Sequence, residues 1–215
     1  MNRPECTSQC IVVTGFGPFG DNLVNASSVA VRTLQEMWCK NSVLVSCPVR
    51  LVTIVDIPVT YNDVQNTCDS IWNMHPNLVI HVGLDAGARA VILESQAFND
   101  QYNLPDSNGI CCGFDGHCVP QGVDRLSCQL NLYRTLQTLS EQSISACVSN
   151  NPGHYLCGYL YYLSLSRGCD RCVFVHVPPI SSAFDDQTLA VTLFVILQDL
   201  ATQCGLLLPD VALTV

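Results

Sequence analysis

The chain has 215 residues, 48% of them hydrophobic and 13% charged, with eighteen acidic against nine basic side chains and a formal net charge of −9. That length suits one domain, residues 1–215, and that composition supports a large buried core and argues against disorder. An acid excess without a basic stripe repels polyanions, so nucleic acid is excluded as an expected partner.

In chain order, residues 11–14 form a β-branched run that ends in a glycine-rich turn, the pattern of a buried first strand. A helix is expected next, capped by Asn25 or Ser27, with Val29, Ala30, Leu34 and Met37 at helical spacing. Residues 43–47 and 50–57 read as strands, 61–73 as a helix, 78–82 and 90–94 as further strands. Residues 99–125 are rich in Asn, Asp, Gly, Pro and Cys without a sustained period, which predicts a long functional loop or a flap. Helical spacing returns over 129–139, a strand follows at 144–148, a helix at 155–165, a strand at 173–177 and a closing helix at 186–203. The alternation predicts an α/β/α sandwich with a largely parallel central sheet. The most apolar run, 189–197, is too short to cross a bilayer and is expected to be a buried part of the closing helix.

Fourteen cysteines suit either a disulfide scaffold or a reduced protein with packed thiols. The chain's size, the apolar settings of Cys47, Cys147 and Cys172, and the lack of an apolar leader in residues 1–9 all favour a reduced, cytoplasmic chain. Cys169 and Cys172 make one CxxC pair, but Cys111, Cys112, His117 and Cys118 form an irregular cluster instead of a second pair. The expectation is therefore no metal site. His75 and His81, beside apolar strand residues, read as structural.

Gly15, Gly17 and Gly20 match the spacing of a dinucleotide fingerprint. Pro18 removes an amide from the loop, and the helix should start near Asn25, well past the third glycine, so a nucleotide site is not expected. The turn would let Phe16 and Phe19 wall an apolar ligand pocket, or both could simply join the core.

Three residues could carry chemistry. Cys157 follows a turn containing Pro152 and Gly153 and falls in the first turn of a helix, where the macrodipole favours a thiolate and backbone amides can hold an oxyanion; the plainer alternative is an inert buried thiol. His176 ends a buried strand at the sheet edge where open α/β sheets place their sites, and could serve as acid and base, or be a core histidine. Glu94 ends the strand at 90–94, carrying a carboxylate to the margin of the sheet, either to orient His176 or to remain solvated.

The order of these segments resembles one family, pyroglutamyl-peptidase I, over nearly the whole chain. The resemblance rests on Val12 to Gly20 with Val24-Asn25-Ala26-Ser27, on His81-Val82-Gly83 with Leu93-Glu94, on Gly153-His154-Tyr155-Leu156-Cys157, and on Phe174-Val175-His176-Val177-Pro178-Pro179. It implies a cytosolic cysteine peptidase that removes N-terminal pyroglutamate from peptides without metal or organic cofactor, with Cys157, His176 and Glu94 as a triad and Phe16 and Phe19 flanking the lactam. The chain departs from the family at Leu84, where bacterial members have Gln, at Pro152 in place of Ala, and at Gly158 in place of Asn or Asp. The alternative implied by those changes is a weakly active or inactive paralogue that binds pyroglutamyl peptides.

Overall fold

A computed structural model describes residues 9–20 and 23–211; the expectation drawn from residues 1–9 falls almost wholly outside them. In chain order the elements are β1 (Gln9–Phe16), α1 (Ala26–Lys40), α2 (Ser42–Val45), β2 (Val49–Ile57), α3 (Tyr61–Asn73), β3 (Leu78–Leu84), β4 (Val91–Glu94), β5 (Gln96–Phe98), the short turn α4 (Gly113–Gly116), β6 (Arg125–Ser127), α5 (Leu132–Glu141), β7 (Ala146–Ser149), α6 (Leu156–Gly168), β8 (Cys172–Val177) and α7 (Asp186–Gln203). Six strands form the main sheet in the order β2-β1-β3-β8-β4-β7. Four of its five ladders are parallel, and only β4 against β8 is antiparallel.

Alternation along each strand divides the core into two layers. Ile11, Val13, Ile80, Val82, Val173 and Val175 face α1 and α7. Val12, Val79, Cys172 and Phe174 face α3 and α6. This is the expected α/β/α sandwich, and the second layer is where the chemistry-bearing residues project.

The helix starts follow side-chain capping. Asn25 accepts from the Ser27 amide, Thr60 from the Asp63 amide and Asp185 from the Thr188 amide, each satisfying a donor with no partner inside the helix. Asn131 does the same for Arg134, so α5 begins at Leu132, three residues later than the spacing suggests. The strand expected at 43–47 is instead α2: Asn41 accepts from the amides of both Val43 and Leu44 and starts a helical turn. Leu44 is then buried while Val43 and Val45 face solvent, a pattern that one helical turn satisfies as well as a strand does.

The segment 99–125 is a fastened loop. Asn99 and Asp124, Tyr102 and Gly116, and Cys118 and Asn99 share backbone hydrogen bonds of 2.7–3.1 Å, and β5 pairs with β6 across its base. Asp106, buried within it, accepts from the amides of Tyr61, Asn108 and Ile110 and so ties the loop to the start of α3. His75 does not lie in a strand; it is exposed, in a left-handed turn after α3 (φ 50°).

His81 is fully buried between the Thr14 hydroxyl, 2.9 Å away, and the Ser164 hydroxyl, 2.7 Å away. Ser164 also accepts from the Trp72 indole at 3.2 Å. Ser164→Ala removes a partner from both rings, and an unpaired buried polar group costs about 1–3 kcal/mol. Urea unfolding should show a loss of that size; an unchanged midpoint would contradict a role for this network in holding α3 and α6 to the sheet.

Candidate active site

The register of three strands sets the site. Gly83 on β3 pairs with His176 on β8, and His176 lies opposite Ile92 on β4. Glu94, opposite Phe174, is then the diagonal neighbour of His176 on the same face of the sheet, within reach of a long side chain. Its Oε1 lies 2.9 Å from His176 Nδ1, which donates to it. Because β4 runs against β8, its last residue lies inside the sheet and not at its carboxyl margin, and Glu94 is only 1% exposed. The carboxylate expected at the margin is therefore buried and paired. Among the described residues its second oxygen, Oε2, has no hydrogen-bond partner.

Cys157 enters from the helix layer. Gly153 adopts φ 79° with its amide donated to the Asn151 side chain, and the chain then turns into α6, where Tyr155 is the N-cap and Cys157 the second helical residue. No side chain caps this start, so no side chain competes for the amides of the first turn. The sulfur lies over Gly83: a Cβ built there would stand 2.9 Å from Cys157 Sγ and 2.7 Å from the Phe174 ring. Gly158 is fixed by the same crowding, since a Cβ would come within 2.1 Å of the Gly153 carbonyl oxygen. The departure from the family at Gly158 is thus a requirement of how this turn packs.

One helical turn beyond the thiol, Tyr161 donates its buried hydroxyl to the backbone carbonyl of Glu94 at 2.7 Å. That bond locks the helix bearing Cys157 to the strand bearing Glu94. Tyr161 was not singled out in the sequence, where it reads as one more apolar residue of α6. His154, close to Cys157 in sequence, takes no part: it stacks on Phe98 at 5.2 Å and bonds the Asp100 carbonyl.

The two buried histidines of this layer have opposite electrostatics. Burial pushes His81 down to about 3, so it stays neutral among hydroxyls. Burial acts on His176 in the same direction, but its contacts with Cys157 and Glu94 override it and push it up to about 10, so the imidazolium is the stable form at neutral pH.

Two spaces meet at the sulfur. Phe16, Phe19, Asn25, Val59, Leu84, Tyr155, Leu156 and Cys157 line a small pocket. A cleft of about 990 Å³ opens on the other side, sharing Phe19, Leu84, Tyr155 and Cys157 and adding Asp85, Ile92, Glu94, Ser149, Asn151 and His176 among others. Phe16 and Phe19 both line the small pocket, and Phe16 is at the same time a buried member of the core with Phe19 packed against that layer. Asn25, expected to cap α1, also donates to the Gly17 carbonyl, fixing the turn that carries both phenylalanines. That turn ends without a helix at Gly20, because α1 starts at Ala26.

Among the described residues no group of three or more His, Cys, Asp or Glu side chains converges as metal ligands, and the thirteen described cysteines are free thiols. None of the described helices is long and apolar enough to cross a membrane.

The sequence profile of the pyroglutamyl peptidase family matches residues 9–200. Pyroglutamyl-peptidase 1 of Rattus norvegicus is 35% identical over 206 residues, covering 93% of this chain and 92% of its own. The human pyroglutamyl-peptidase 1-like protein is 32% identical over 152 residues, covering 70% and 77%. Among solved structures, the pyrrolidone carboxyl peptidase from Thermus thermophilus superposes with a TM-score of 0.75 at 26% identity, covering 88% of this chain and 99% of its own.

Two measurements check this geometry. Gly83→Ala should leave the sheet folded but displace the sulfur, slowing iodoacetamide labelling of Cys157; an unchanged rate would mean that the thiol does not rest on the strand. Titration of His176 by NMR should find it protonated at pH 7 and losing its proton only near pH 10. In Glu94→Gln that titration should move toward neutrality, and no movement would contradict the pairing.

Proposed function

The chain belongs to the pyroglutamyl peptidase family, and from that premise we propose that it hydrolyses the amide bond after an N-terminal pyroglutamyl residue, with Cys157 as nucleophile, His176 as acid and base, and Glu94 as the group that orients the imidazole. The observation that carries this reading is the buried Glu94–His176 pair at 2.9 Å beside a helix-start thiol. Substrates are peptides blocked at their amino end by the lactam, and the setting is the reducing cytoplasm, in keeping with the free thiols.

The thiolate of Cys157 attacks the carbonyl carbon after the lactam, and the oxyanion that forms accepts hydrogen bonds from amides of the uncapped first turn of α6. His176 gives its proton to the departing amine as the tetrahedral intermediate collapses to a thioester. Water then attacks the thioester, with the now neutral His176 taking its proton, and pyroglutamate leaves with the thiolate restored. Throughout, Glu94 holds Nδ1 as the donor to its carboxylate, so that Nε2 is the nitrogen that exchanges protons. The lactam ring lies in the small pocket between Phe16 and Phe19, which offers apolar walls to an uncharged ring and, among the described residues, no carboxylate to receive a free α-amine.

A binding-only paralogue was suggested by the changes flanking Cys157. The clash that a side chain at Gly158 would make with Gly153 gives that glycine a packing reason, and removes much of the support for an impaired site.

A fluorogenic pyroglutamyl amide should be turned over by the wild type, with Cys157→Ala lowering the rate by more than about a thousandfold. Glu94→Gln should fold normally and lose about 10²–10⁴ in kcat, as a triad does when its orienting carboxylate is replaced. Wild-type turnover no faster than Cys157→Ala would refute the peptidase reading. Full activity in Glu94→Gln would remove the carboxylate from the mechanism.

A further inference from the structure

The two spaces that meet at Cys157 differ in one respect that fixes the direction of the substrate. His176 and Glu94 line the open cleft and not the small pocket. The proton donated to the departing amine comes from His176, so the amine and the peptide attached to it must lie in the cleft. This orientation rests on the peptidase reading above.

The cleft is largely apolar, with Phe19, Leu84, Ile92, Pro152 and Tyr155 among its walls, and neutral polar groups at Ser149 and Asn151. Among the described residues, its ionisable side chains besides the nucleophile, the phenol of Tyr155 and the His176–Glu94 pair come down to one, Asp85. Among the described residues no Lys or Arg lines it; Arg89, in the same turn as Asp85, is exposed and outside it. Asp85 continues the β3 ladder by donating its amide to the Val177 carbonyl at 3.0 Å, and its Oδ1 accepts from the Gly87 amide at 2.8 Å. The carboxylate is thereby held in place, its Oδ2 making no hydrogen bond among the described residues, and it stands two residues past Gly83, about 7 Å along the strand from the position over which the sulfur lies. That distance is the length of the first residue or two beyond the scissile bond.

We propose that Asp85 is a specificity-determining residue for the departing peptide, and that the cleft selects pyroglutamyl peptides whose first residues after the lactam carry a basic side chain over those carrying an acidic one. A Lys or Arg stem would lie on the apolar walls while its charge reaches the half-buried carboxylate, whereas an Asp or Glu there meets like charge in a protein already at net charge −9.

The test compares kcat/KM for two peptides that differ only after the lactam, pyroglutamyl-Lys-Ala amide and pyroglutamyl-Asp-Ala amide, on the wild type and on Asp85→Asn, whose amide oxygen can still accept from Gly87. A partly exposed charge pair supports a preference of about three- to tenfold for the Lys peptide at low salt, shrinking as salt rises. In Asp85→Asn the ratio should fall toward one. A wild-type ratio near one, or an undiminished ratio in Asp85→Asn, would overturn the proposal. Dissociation constants of the same two peptides for Cys157→Ala read the same preference without turnover. Failure of the wild type to cleave either peptide would therefore count against the peptidase reading, while the ratio of dissociation constants would still decide the role of Asp85.

Discussion

A carboxylate buried at 1% exposure has to be paired, and the site is organised around how Glu94 meets that requirement. Its partner, His176, sits on the neighbouring strand, and the antiparallel register of β4 against β8 brings Glu94 diagonally across from the imidazole. Such a pair gains little stability over an apolar one, because desolvating both groups offsets their attraction. Its retention in a core this apolar is more readily understood through the protonation state that it imposes on His176.

The surrounding structure works to keep a sulfur beside that imidazole. Tyr161 ties α6 to the Glu94 backbone, Gly83 leaves the space that the thiol occupies, and the Gly153 turn aims the helix start at it. His81 shows what the same sheet face does to a histidine without a carboxylate: surrounded by Thr14 and Ser164, it stays neutral and serves packing. One face thus holds two buried imidazoles, one charged and one neutral, and the neighbouring side chains make the difference.

Much of this was legible in the chain itself. Strand alternation and helical spacing marked the layers, and the glycine-proline turn before Cys157 and the prolines after His176 marked the ends of α6 and β8. What could not be read depends on register or on a single hydrogen bond. The burial of Glu94 follows from the direction of β4, which no local pattern encodes. The turn α2 depends on two bonds to Asn41 that outweigh a β-branched composition, and the late start of α5 on one bond to Asn131. Tyr161 looks like an ordinary core position, and Gly83 like no more than a motif glycine, until their neighbours in space are known.

The proposed mechanism requires a covalent thioester at one cysteine among fourteen. Its most direct test is to quench the protein with acid during turnover of a pyroglutamyl ester and map the adduct by mass spectrometry. The prediction is a single pyroglutamyl group on the peptide containing Cys157, absent when His176 is replaced by Ala. An adduct on any other cysteine, or steady turnover with no acylated protein in either rapid or slow quenching, would contradict it.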